Sequence, residues 1–101
     1  AEFQERALVE LGQDALKAGR YAEAVNHFRM QLSKHASGGE VNLGRFLLGV
    51  CLLQQTARQP GVPDKPDDKK AREEALGLFR SVIADIDAQR SRSTERDLWL
   101  R

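Results

Sequence analysis

Few side chains in this 101-residue chain have a type and spacing that could carry chemistry. His27 and His35 fall eight residues apart in one stretch of helical periodicity. That is two turns, or ~12 Å along the axis, too far to share a metal ion. Cys51 is the single cysteine, so neither an intramolecular disulfide nor a cysteine metal cage can form. It stands between Val50 and Leu52 with no cationic sequence neighbour to lower its pKa, and it reads as a small buried hydrophobe. Asp64, Asp67 and Asp68 crowd one stretch, but their spacing is not that of a calcium loop and no later glutamate is placed to complete one. Gly38-Gly39 could present free backbone N–H groups to an anion at a helix start, although a plain turn accounts for the pair. No glycine-rich phosphate loop or nucleophile elbow is present. The sequence therefore predicts no enzyme within these residues, no catalytic group, no cofactor and no metal.

Charge and hydropathy narrow the partners. Sixteen basic residues against fifteen acidic leave a formal net charge of +1, so no global field favours nucleic acid or an anionic membrane. Arg90, Arg92, Arg96 and Arg101 make the one local basic excess, and only Trp99 is near them as a stacking aromatic. Nucleic-acid contact needs such charge on one face with interleaved aromatics, so none is expected. No apolar run approaches the ~18 residues of a membrane span, which predicts no direct membrane insertion. Charged residues make up 31% of the chain and hydrophobic residues 41%, a balance that suits a folded helical domain better than a disordered one. What remains is surface recognition of another protein or peptide.

The elements that position such a surface are helical. Phe3, Ala7, Leu8, Leu11 and Ala15 share a side and predict a first helix over residues 2–18. Gly19 ends it in a left-handed conformation. Tyr21, Ala24, Val25, Phe28 and Leu32 recur at steps of three and four and predict a second helix from Tyr21 to about His35. Ser37, with Glu40 three residues on, fits a capping box that opens a third helix near Gly38. That helix, to about Arg58, is apolar on several sides and belongs in the centre. Pro60, Gly61, Pro63 and Pro66 predict an exposed loop over 59–67, after which Asp67 or Asp68 caps a fourth helix reaching about Gln89. Its inner face holds Ala71, Ala75, Leu78, Phe79, Val82, Ile83 and Ile86. The polar run Gln89-Arg90-Ser91-Arg92-Ser93 predicts a break, and Thr94 with Asp97 predicts the cap of a fifth helix. The first and last residues both fall inside helical patterns, so the chain reads as a piece of something longer.

A duplication runs through these elements. Leu11-Gly12 is followed by Ala24 and Phe28, and Leu48-Gly49 by Ala75 and Phe79. The second Leu-Gly pair lies 37 residues after the first, and each alanine precedes its phenylalanine by four. The second copy is longer by the proline-rich loop, an insertion between helices that leaves their packing intact. In these residues, above all in Gly19-Arg20-Tyr21-Ala22-Glu23-Ala24-Val25-Asn26-His27-Phe28, the chain resembles the tetratricopeptide repeat family, and the resemblance covers nearly its whole length. Ala15 departs from the family's usual large residue, Gln31 from its small one, and Arg45 from its large apolar one.

The resemblance implies an all-α, right-handed superhelix of antiparallel helical hairpins. Repeat one would span 2–36, repeat two 38–90, and the fifth helix, 94–101, would be a partial third repeat. The longer spacing, with the run Leu43-Gly44-Arg45-Phe46-Leu47-Leu48-Gly49-Val50-Cys51, is similar to bacterial cell-envelope members, which leaves the cytoplasm and the bacterial envelope as compartments. Family members hold a peptide or helix in a concave groove lined by the first helix of each repeat. Carried over position by position, that groove holds Arg6, Val9, Gln13, Leu16 and Lys17 from the first copy. The second supplies Leu43, Phe46, Val50, Leu53 and Gln54. Val9 and Phe46 stand where the family's carboxylate clamp has polar groups, so a C-terminal carboxylate is not the expected ligand; an amphipathic segment suits the mixed lining. Leu43, Phe46, Val50 and Leu53 are alternatively core. Two other readings stay open. About three repeats normally bury a continuous core, so the chain could instead self-associate through its C-terminal end, Trp99 included. It could also be a regulatory domain of a larger enzyme.

Overall fold

The computed structural model describes residues 2–57 and 61–99, and they form four α-helices: α1 (Glu2–Lys17), α2 (Tyr21–Lys34), α3 (Val41–Thr56) and α4 (Pro66–Trp99). There is no strand among the described residues, as an all-α chain requires. The helices pack in chain order, α1 on α2, α2 on α3 and α3 on α4, and α1 meets α3 only marginally.

Each helix end has a local cause. At the end of α1, the Arg20 N–H reaches the Ala15 carbonyl at 2.8 Å and the Gly19 N–H reaches Leu16 at 3.1 Å. This is a Schellman closure with Gly19 in its left-handed position at φ +78°. The expected capping box at Ser37 does not form: α3 begins at Val41, with Glu40 as its N-cap and no side-chain cap bond. The Glu40 N–H that Ser37 would have taken donates instead to Glu5 Oε1 of α1 at 3.3 Å, and the Glu40 side chain turns to Arg6 Nη1 at 3.0 Å. The carboxylate is the stronger acceptor and outcompetes the nearby hydroxyl. Gln31 of α2 completes the arrangement by donating its Nε2 to the Glu40 carbonyl at 2.9 Å.

The proline-rich segment ends at Lys65 rather than Asp67. Pro66 takes the first helical position, where its fixed φ and missing N–H cost nothing. Asp68 caps from within the helix, accepting the Lys65 N–H at 2.7 Å. The expected stop at Gln89 and the separate fifth helix are both corrected by the structure, because α4 runs unbroken for 34 residues to Trp99. Residues 78–99 contain neither glycine nor proline. Arginine and glutamine favour helix, and the serines weaken it by only a few tenths of a kcal/mol each. The polar run marks where burial stops, while the helix itself continues.

Packing repeats what the duplication suggested. Ala15, Ala24, Val25, Phe28, Leu48, Cys51, Leu52 and Ala75 form one buried cluster, with α3 at its centre between α2 and α4. A Cβ on Gly12 would fall 2.5 Å from the Phe28 ring, and one on Gly49 would fall 2.6 Å from the Phe79 ring. In both copies a glycine lets a helix close onto the phenylalanine of the next, beside a fully buried alanine, Ala24 or Ala75. The copies differ in depth. Phe28 is fully buried and Phe79 only partly, and Leu11 is half exposed where Leu48 is buried.

Polar ties on the surface fix the stack. Arg29 of α2 grips Glu74 of α4 bidentately at 2.6 and 2.9 Å, which holds its guanidinium pKa above the usual value. Asn42 in the first turn of α3 donates to Asp85 of α4 at 2.6 Å, and Gln89 donates to the same carboxylate oxygen at 3.0 Å. Beyond that point α4 projects past its neighbours. At ~1.5 Å per residue a helix of this length spans ~51 Å, and the molecule is 59 Å along its longest axis. The radius of gyration, 16.3 Å, accordingly exceeds the ~13 Å of a compact chain of this size.

Candidate partner-binding surface

The residues expected to line a groove divide when placed on the helices. On α1, Arg6 and Lys17 are exposed and Gln13 and Leu16 are partly covered. Arg6 is engaged by Glu10 at 3.3 Å as well as by Glu40. Val9 is a correction, because its side chain has no exposed surface to offer a partner. It lies one turn from Glu5, which is also buried, with its carboxylate lying over Gly38. The 38–40 turn covers that stretch of α1, and sequence gave no sign of it because the turn is drawn in by long-range bonds.

On α3, Leu43, Phe46, Val50 and Leu53 recur at steps of three and four on one face. Phe46 is 48% exposed and Leu53 38%, so the core alternative does not hold for these two; Leu43 and Val50 are partly covered. Gln54 is exposed beside them. Trp99 closes α4, and its side chain lies outside those described.

Phe46 leads to a feature that sequence reasoning missed. Its ring meets Phe79 of α4 with centroids 5.8 Å apart and planes tilted by 54°, a favourable aromatic geometry. With Val82 and Ile83 the two rings line an apolar hollow of about 310 Å³. Ile83 is 59% exposed, Leu76 51% and Ile86 48%, which corrects the inner-face placement that periodicity gives Ile83 and Ile86. The only signal available was their number: α4 carries more apolar residues than one neighbouring helix can cover.

The remaining polar groups do not converge on a reactive centre. Among the described residues no three His, Cys, Asp or Glu side chains are placed to hold a metal. Glu5 Oε2, Gln31 Oε1 and His35 Nε2 are buried without a hydrogen-bond partner, each at the seam where α1, α2 and the 35–40 turn meet. Cys51 is fully buried, and desolvation pushes its thiol pKa up. Because the folded pKa lies above the unfolded one, the unfolded chain ionises first as pH rises. Stability present below about pH 8.5 is then lost progressively above it. Labelling of Cys51 by a disulfide reagent at pH 8 should be slower in the folded protein than in the denatured chain by on the order of 100-fold or more. Equal rates in the two states would refute the burial of this thiol.

The chain matches no family model, and no curated protein or solved structure is significantly similar to it.

Proposed function

We propose that this chain is a non-catalytic protein-interaction module of the tetratricopeptide kind, stacked right-handedly, which holds an amphipathic peptide or helix along α1 and α3. The observation that carries this reading is the duplicated glycine-on-phenylalanine contact, Gly12 on Phe28 and Gly49 on Phe79. It is what a chain built from two copies of one helical hairpin would show, and hairpins of that kind stack to expose their first helices. Those helices offer complementary halves. Arg6, Gln13 and Lys17 on α1 supply polar and cationic groups, and Phe46 and Leu53 on α3 supply exposed apolar ones beside Leu43, Val50 and Gln54. A helix with one apolar and one acidic face satisfies both.

The test is selection of helical peptides on the folded protein, followed by amide chemical-shift mapping of the selected ligand. Shifts should concentrate on α1 and α3. Lys17→Glu on α1 and Leu53→Asp on α3, both at exposed positions, should each weaken binding by about 10-fold. Selected peptides that are insensitive to both changes would remove the groove reading.

A further inference from the structure

We propose that a second copy of this chain covers the outer stripe of α4, the two α4 helices pairing antiparallel about a two-fold axis between Ala84 and Asp85. This goes beyond the groove reading and does not rest on it. Leu76, Phe79, Ile83, Ile86 and Arg90 recur at alternating steps of three and four, the spacing of a seam between two helices. Phe79 is partly covered by Gly49 and Phe46 of α3, whereas Leu76, Ile83 and Ile86 are each about half exposed.

The duplication says that such a face is built to be covered. Ala24 and Phe28 of α2 correspond to Ala75 and Phe79 of α4, so Val25 and Leu32 correspond to Leu76 and Ile83. On α2 that face is covered: Val25 and Leu32 belong to the core around α3. On α4 no helix among the described residues takes the place that α3 has on α2, since α4 runs to Trp99.

Charge selects a second copy as the cover, and it selects the register. With the axis between Ala84 and Asp85, Ile83 meets Ile86 of the other copy twice over, giving an apolar centre. Phe79 then lies against the Arg90 stem and guanidinium of the other copy, a favourable cation–π arrangement. On the outer flank Arg80 faces Asp87 of the other copy, again twice. Both residues are exposed, and neither has an ion-pair partner among the described residues. They are seven residues apart on one helix, ~10 Å, too far to pair with each other. Moving the axis to Ser81 would also match apolar residues, Leu76 with Ile86 and Phe79 with Ile83. That register sets Arg80 against Arg80 and Asp87 against Glu73, which like-charge repulsion rejects. The stripe is therefore self-complementary in one register, the requirement for a closed two-fold interface.

Sedimentation velocity across a concentration series, at low and high salt, tests this. The chain should pass from monomer to dimer and no further. Ile83→Asp, at an exposed site that leaves the monomer folded by circular dichroism, should weaken the dimer by at least about 100-fold. Arg80→Glu and Asp87→Arg should each weaken it by about 10-fold, and the double variant should recover most of that loss. Such recovery has to come from contacts between copies, since the two residues cannot meet within one chain. A monomer up to roughly millimolar concentration overturns the proposal. So do oligomers that grow without limit, or a double variant no tighter than the singles.

Discussion

Phe28→Ala is expected to lower the unfolding free energy by about 3–5 kcal/mol, which for a domain of this size is a large part of its stability. The ring has no exposed surface, and it is pressed by Gly12 from α1 while lying in the cluster that joins α2 to α3. Glycine gives the cavity nothing to collapse with, because Gly12 has no side chain to move in. The same substitution at Phe79 removes a ring that is only partly buried and leans on an exposed Phe46. It should cost about half as much or less. Urea denaturation followed by helical circular dichroism, at a concentration where the chain is monomeric, reads both. Equal losses at the two sites would mean that the second hairpin is as well covered as the first, against the exposures described above.

The second large effect is expected at Leu48. Leu48→Ala should cost about 2–5 kcal/mol, whereas Leu53→Ala, one and a half turns along the same helix, should cost about half as much or less. Leu48 is 2% exposed in the buried cluster with Cys51 and Leu52, whereas Leu53 is 38% exposed and lies outside that cluster. The contrast follows from the position of α3, which is the only helix packed closely on two others besides α2 and holds the centre of the cluster. The same urea titrations decide it. A small loss at Leu48 with an unchanged slope would place the stabilising core between α1 and α2 and leave α3 peripheral.

How much of this could be read from sequence depended on how local the cause was. The α1–α2 turn was legible because Gly19 and the three- and four-residue spacing of Tyr21, Ala24, Val25 and Phe28 act within a few residues. The duplicated glycine–phenylalanine contact was legible for a related reason: close approach needs a missing Cβ on one side and a bulky ring on the other. The start of α3 was not legible, because Ser37 and Glu40 satisfy a local rule that Glu5, 35 residues away, overrides with a carboxylate. The length of α4 was misjudged because an end of apolar periodicity was taken for an end of helix. Val9, expected in the groove, is buried, while Phe46 and Leu53, for which groove and core were both open, are exposed, and the reason is geometric. A helical face facing a groove and one facing a neighbour have the same periodicity, and only the course of the 38–40 turn and of α4 separates them.

The bonds at the start of α3 bear on how the chain can be divided. The N–H and the carbonyl of its N-cap, Glu40, are met by Glu5 and Gln31, with Arg6 on the N-cap side chain. The second copy of the hairpin thus borrows its opening from the first. A repeat is usually thought of as a unit that can be cut out, reordered or multiplied. Here the sequence boundary near residue 37 is crossed by bonds from Glu5, Arg6 and Gln31, so a cut there would strip the opening of α3 of its partners. Any shuffled or lengthened version of this chain would have to carry the Glu5, Arg6 and Gln31 positions into every hairpin that precedes another.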